Sequence, residues 1–176
     1  MIQSDGARRI ADALQRLNDT LARRRDFGHH TGSSVTTLVD GVRCSSEAGG
    51  WTIHSDLQPA LGGERSAPTP TVLLSSALGA CLAMGYQLRA AEQGIELTSV
   101  RVTVETDSDV RGMLRCDAAV PPGFTGIRYH VELESPAPRS EIERIVDLAD
   151  RLSPVLDALT RANRVDRTVS TNARVA

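Results

Sequence analysis

One cysteine of this 176-residue chain stands in a setting that could serve chemistry. Cys81 lies in Ala67-Pro68-Thr69-Pro70-Thr71-Val72-Leu73-Leu74-Ser75-Ser76-Ala77-Leu78-Gly79-Ala80-Cys81-Leu82-Ala83-Met84, a proline-rich turn running into an uncharged helix. From residue type alone it reads first as core filler, since free cysteine packs like a small hydrophobe. Two features point instead to a thiol presented at a site. Ser75, Ser76, Ala77, Gly79, Ala80 and Ala83 are small and permit close approach by another helix or a partner chain. The Pro68-Thr69-Pro70 turn fixes where the helix starts, as positioning of a reactive atom requires. A thiol attacks as its thiolate, so such a site needs a cation or a helix terminus close by.

The other candidates are weaker. Cys44 and Cys116 fall on strand-like runs and read as ordinary strand cysteines. Three widely spaced cysteines without a Cys-x-x-Cys pair make neither a disulfide framework nor a zinc site. His29-His30 is a lone pair in a loop-like segment, and His54 and His130 sit singly on strand-like runs, so the spacing proposes no metal site. All 20 basic residues are arginine, which excludes a Schiff-base lysine. A net charge of −2 and 3% aromatic residues offer little field and few stacking platforms for nucleic acid.

The elements that must position Cys81 follow from periodicity. Ser4-Asp5 is a plausible N-cap for a helix carrying Ile10, Ala13, Leu14, Leu17 and Leu21 at helical spacing. Arg23-Arg24-Arg25 closes it, where cations suit the helix dipole. Val35–Val39, Val42–Ser46 and Trp51–Ser55 read as a meander of short strands separated by Asp40-Gly41 and Gly49-Gly50. The helix from Thr71 to about Glu92 is apolar nearly all round as far as Tyr86, which predicts burial. Strands are expected over Leu97–Thr106, Leu114–Val120 and Ile127–Leu133. Ser140-Glu141-Ile142-Glu143 has the form of a capping box opening a helix, Ser153-Pro154 restarts a second one to about Ala162, and Val165–Val169 reads as a final strand. The fold class is α+β, with an N-terminal helical extension over 1–31 and the main domain over 32–176.

The apolar run Val72–Met84 is shorter than the roughly 20 residues needed to span a bilayer. The segment Met1–Arg9 lacks the apolar core of a signal peptide. Both favour a cytoplasmic protein without a membrane partner.

Leu61-Gly62-Gly63, Pro68-Thr69-Pro70 and Leu73-Leu74-x-x-Ala77-Leu78-Gly79-Ala80-Cys81-Leu82-Ala83-Met84 closely resemble the signature of the OsmC/Ohr family. Arg151-Leu152-Ser153-Pro154-Val155-Leu156-Asp157-Ala158-Leu159 resembles its second motif. The resemblance covers about 35–169 and implies an OsmC-like fold in an intertwined homodimer, with strands of both chains around two central helices. It implies a thiol-dependent peroxidase that reduces organic hydroperoxides without metal or organic cofactor. Cys81 takes the peroxidatic position, whose thiolate becomes a sulfenic acid. The position of the resolving cysteine is Ser153, and that of an activating glutamate is Thr71. Arg43 is the best match for the family's arginine.

Both replacements have physical consequences. Serine before Pro154 is a good N-cap but cannot form a disulfide. Thr71 keeps a hydrogen-bonding hydroxyl and loses a charge. Two functions are therefore expected in competition. One is a one-cysteine organic hydroperoxide reductase in oxidative stress defence, recycled by an external thiol reductant or by Cys44 or Cys116. The other is a redox-inactive protein binding an apolar small molecule in the dimer cavity. A third and lesser possibility is an interaction module built on the N-terminal helix.

Overall fold

The computed structural model describes residues 5–171. Its first helix, α1 (Asp5–Arg23), is described from Asp5 onward, so Ser4 of the expected cap lies outside the described residues. A 3-10 turn (Arg25–Gly28) leads to the antiparallel meander β1 (Ser34–Asp40), β2 (Arg43–Ala48) and β3 (Trp51–Ser55). Gly49 and Gly50 form the two-residue loop between β2 and β3, both at positive φ (56° and 81°), as a tight hairpin turn requires.

A loop then carries the chain to α2 (Pro70–Glu92), followed by β4 (Ser99–Ser108), the short α3 (Val110–Met113) and β5 (Phe124–Glu134). The helices α4 (Arg139–Arg151) and α5 (Pro154–Thr160) complete the regular structure of the described residues. Strands β4 and β5 pair antiparallel as a separate two-stranded sheet, with Val100 opposite Leu133, Val102 opposite Val131 and Val104 opposite Tyr129. That alternation sets one apolar face against the helices. The core lies there: Leu78, Leu82 and Tyr86 of α2 with Ala149 of α4, flanked by those strand residues and by Val155, Leu156 and Leu159 of α5. Helix α1 packs on α2, with Ala7 buried and Ile10, Leu14 and Leu21 half-buried, while Ala13 and Leu17 stay exposed.

The loop before α2 is organised by a buried acid. Asp56 accepts hydrogen bonds from Leu57 N–H (2.8 Å), Glu64 N–H (3.1 Å), Ser66 N–H (2.9 Å) and Ser66 Oγ (2.9 Å). A Cβ at position 63 would overlap the Leu57 carbonyl, so glycine alone fits there. The loop thereby delivers Thr69 to cap α2, its hydroxyl accepting Val72 N–H at 3.3 Å.

Four expectations need correction. Residues 114–120 form no strand. Asp109 accepts Arg111 N–H (3.0 Å), Cys116 N–H returns to the Arg111 carbonyl, and Arg115 takes φ 61°, so local turn chemistry overrides a weak alternation. Cys116 is consequently exposed in a turn. Ser140 is not a cap: α4 begins a residue earlier, the Pro138 carbonyl accepting Glu141 N–H, and Glu143 pairs with Arg139. Residues 165–169 lack regular structure and Val165 is 88% exposed, because no strand among the described residues lies beside them to complete a ladder.

Helix α2 is also buried along one stripe only. Leu78, Leu82, Tyr86, Ala90 and Ala91 are covered, whereas Val72, Leu74 and Met84 (65%) are exposed. Its 23 residues are long and apolar enough to cross a membrane by length and composition. The stripe packed on α1, β4, α4 and α5 is that of a core helix. The chain as a whole exposes 13,356 Å², where a compact chain of its mass would expose about 8,300 Å².

The Ser66 backbone bond, aided by the Ser66 hydroxyl and by Leu57 and Glu64 N–H, draws Asp56 down to about 2 from an ordinary 3.8, against its desolvation. A lowered acid adds stability above its unfolded pKa and loses it as pH falls through the folded one. Thermal melts should therefore show stability declining from about pH 4 to about pH 2. Asp56→Asn should melt lower at neutral pH and decline less over that window. An identical decline in both proteins would remove Asp56 from this role.

Candidate functional site

Cys81 sits in the middle of α2, half-buried, with its sulfur 3.3 Å from the Ser153 hydroxyl. Ser153 is only 3% exposed and separates α4 from α5. Pro154 holds the first position of α5, where its missing N–H costs nothing. Ser153 Oγ caps that helix by accepting Leu156 N–H at 3.3 Å. The Ser153 hydroxyl keeps its proton and a second lone pair, so either the Ser153 O–H or the Cys81 S–H can donate across this contact.

The juxtaposition comes from the way α2 crosses α4. Gly85 lies against Ala149, where an added Cβ would stand 3.6 Å from the Ala149 methyl. One turn back along α2 is Cys81, and four residues forward along the other segment is Ser153. The two segments therefore run in opposite directions across a contact that small residues keep close.

A polar cluster adjoins the crossing. Tyr86 is completely buried and donates to Asp150 Oδ1 at 2.8 Å, while Tyr129 of β5 donates to Asp150 Oδ2 at 2.8 Å. Burial, then the bond to Asp150 and its charge, pushes the Tyr129 phenol up to about 12. The same causes, with Tyr129 in addition, raise Tyr86 further. Both phenols therefore remain hydrogen-bond donors at neutral pH.

The remaining candidate residues lie elsewhere. Thr71 is exposed in the first turn of α2, its hydroxyl 2.8 Å from that of Thr69. Ten residues separate it from Cys81, about 15 Å along the helix. Arg43 is half-buried on β2 and lines a recess of about 240 Å³ with Val39, His54, Ser66 and Ala67. No hydrogen bond or ion pair is made by its side chain among the described residues, and none joins it to Cys81. Cys44 and Cys116 bond only to backbone carbonyls, and all three thiols are free. One chain thus brings Cys81 and Ser153 together and leaves Thr71 and Arg43 without a bond to either among the described residues.

Asp56, Tyr86, Tyr129 and Asp150 escaped the sequence reading. Two signals for the last three were available. Tyr86 carries a hydroxyl into a helix expected to be buried, and buried phenols usually find partners. Asp150 is an anion in the last turn of a helix, where the dipole disfavours it unless a donor compensates.

The sequence model of a family described as OsmC-like protein matches residues 62–167. Solved structures share the fold. An OsmC-like protein from Mycoplasma pneumoniae is 19% identical, with a TM-score of 0.63 over 74% of this chain and 87% of that one. A structure from Legionella pneumophila, described as an organic hydroperoxide resistance protein OsmC, is 20% identical over 74% and 90% of the two chains, with a TM-score of 0.54. An organic hydroperoxide resistance protein from Elizabethkingia anophelis is 16% identical over 75% and 89%, also at 0.54. No curated protein sequence matches the chain.

Removing the Tyr86 hydroxyl should leave a carboxylate oxygen of Asp150 without its donor. Tyr86→Phe is expected to lose about 1–3 kcal/mol, read as a lower urea midpoint at unchanged slope. An unshifted midpoint would mean the cluster contributes nothing to stability.

Proposed function

Since the chain belongs to the OsmC-like family, we propose that it reduces organic hydroperoxides through Cys81 alone, as a homodimer. The observation that carries this reading is the half-buried Cys81 sulfur, 3.3 Å from a buried hydroxyl and inside the matched span. Relatives of the same fold described as organic hydroperoxide resistance proteins add weight to it.

The Cys81 thiolate attacks one peroxide oxygen of ROOH. An S–O bond forms and the O–O bond breaks; the sulfur is oxidised to a sulfenic acid and the alkoxide leaves as ROH after protonation. Ser153 donates its hydroxyl proton to the sulfur as a hydrogen bond and takes no part in electron transfer. A second thiol at position 153 would have formed a disulfide, so here an external thiol R′SH does the resolving. It condenses with the sulfenic acid to give water and a mixed disulfide. A second R′SH then releases Cys81 and R′SSR′. The net reaction is ROOH + 2 R′SH → ROH + H2O + R′SSR′.

Several features support the dimer. The chain exposes roughly 5,000 Å² more than its mass would suggest, the difference between 13,356 Å² and the compact value. The excess includes apolar residues of the β1–β3 sheet, Val35, Leu38 and Trp51 among them, and the uncovered face of α2. A second copy would satisfy both, its meander and Arg43 covering the central helix of the first. The extended segment around Val165 and Val169 would find a strand neighbour in the same assembly.

Purified protein is expected to have a dimer's mass by light scattering and to consume cumene hydroperoxide in the presence of a dithiol. Cys81→Ser should abolish turnover while leaving the mass unchanged. Turnover that survives the substitution, or none in the parent protein, overturns the peroxidase reading. An apolar ligand co-purifying with an inactive protein in native mass spectrometry would establish a binding function instead.

A further inference from the structure

The Tyr86–Asp150–Tyr129 cluster takes no part in the redox steps above, yet it sits beside their geometry. Asp150 holds three elements at once. Its carboxylate accepts from Tyr86 of α2 and Tyr129 of β5, and its backbone carbonyl accepts Ser153 N–H at 3.3 Å. That last bond shapes the turn between α4 and α5 in which Ser153 stands. The Ser153 hydroxyl reaches Cys81 on the same helix that Tyr86 anchors. A closed loop of contacts results, running from Cys81 along α2 to Tyr86, across to Asp150, through the turn to Ser153 and back to the sulfur.

We propose that Asp150 is a positioning residue for Cys81, fixing the Ser153 hydroxyl against the sulfur by clamping α2 and β5 to the end of α4. It rests on Cys81 being the reacting thiol, and it adds a specific dependence: Asp150 acts on the sulfur through Ser153. Two phenols on one carboxylate suit this purpose. A single bond would leave α4 free to rotate about it, whereas donors from a helix and a strand fix the carboxylate from two directions. Hydrogen-bond strength to sulfur falls steeply with misalignment, so a small shift of the turn is enough to lose it.

The test is a double-mutant cycle on the full chain, read by the rate at which iodoacetamide alkylates Cys81. Peptide mapping separates Cys81 from Cys44 and Cys116. Ser153→Ala should slow alkylation by about threefold to tenfold, the value of one modest hydrogen bond. Asp150→Asn should slow it by a similar factor when Ser153 is present and have no further effect in the Ser153→Ala background. Equal slowing by Asp150→Asn in both backgrounds would mark it as merely structural and overturn the proposal. So would an unchanged rate in either single variant. If Asp150→Asn does not fold, Tyr129→Phe is carried through the same cycle with the same deciding outcomes. Alkylation needs no peroxide, so a non-additive cycle in a protein that turns over no hydroperoxide would sink the peroxidase reading and leave the clamp standing.

Discussion

Close contact between α2 and α4 at Gly85 and Ala149 is the constraint on which the rest of the structure depends. A methyl at position 85 would still make ordinary contact with Ala149; a larger side chain would force the helices apart. The 2.8 Å bond from Tyr86 and the 3.3 Å approach of Cys81 to Ser153 both exist only at that separation. The small residues along α2, which look like a mere absence of side chain, therefore set the geometry of the one thiol in a chemical setting. Asp56 performs the corresponding service at the other end, gathering the loop from Leu57 to Ser66 and delivering the Thr69 cap.

The position at 153 shows how fold and chemistry can be separated. Serine there does the structural work of capping α5 as well as any residue, so the turn survives without a second sulfur. It also keeps a donor at the sulfur of Cys81. What it gives up is internal resolution, which moves the reductive half of the proposed reaction to an outside thiol. Thr71 has no such double role within one chain, being three turns from the sulfur and bonded to Thr69.

The meander was legible from the turn residues that separate its strands, α2 from an uninterrupted apolar run, and β5 from the alternation of Ile127, Tyr129, Val131 and Leu133. The segment 114–120 was misread because its alternation was weak beside the turn chemistry of Asp109 and Arg115. At 138–143 a proline carbonyl opened the helix before the serine could. Cys81 and Ser153 could be proposed from motifs, but their contact depends on a crossing between distant segments that no local pattern encodes. Asp150 was harder still: its partners lie 64 and 21 residues away. The exposed face of α2 and the unpaired residues 165–169 have a different origin. The α2 face is apolar, as are Val165 and Val169 at the two ends of that segment, and one copy of the chain does not cover them.

All of this converges on whether the sulfur of Cys81 accepts oxygen from a peroxide. The direct measurement is exposure of the protein to an organic hydroperoxide with a dimedone-type reagent present, followed by mass mapping of the labelled cysteine. Stoichiometric labelling is expected at Cys81, with Cys44 and Cys116 unlabelled. Absence of label at Cys81, or label distributed over all three thiols, would contradict it.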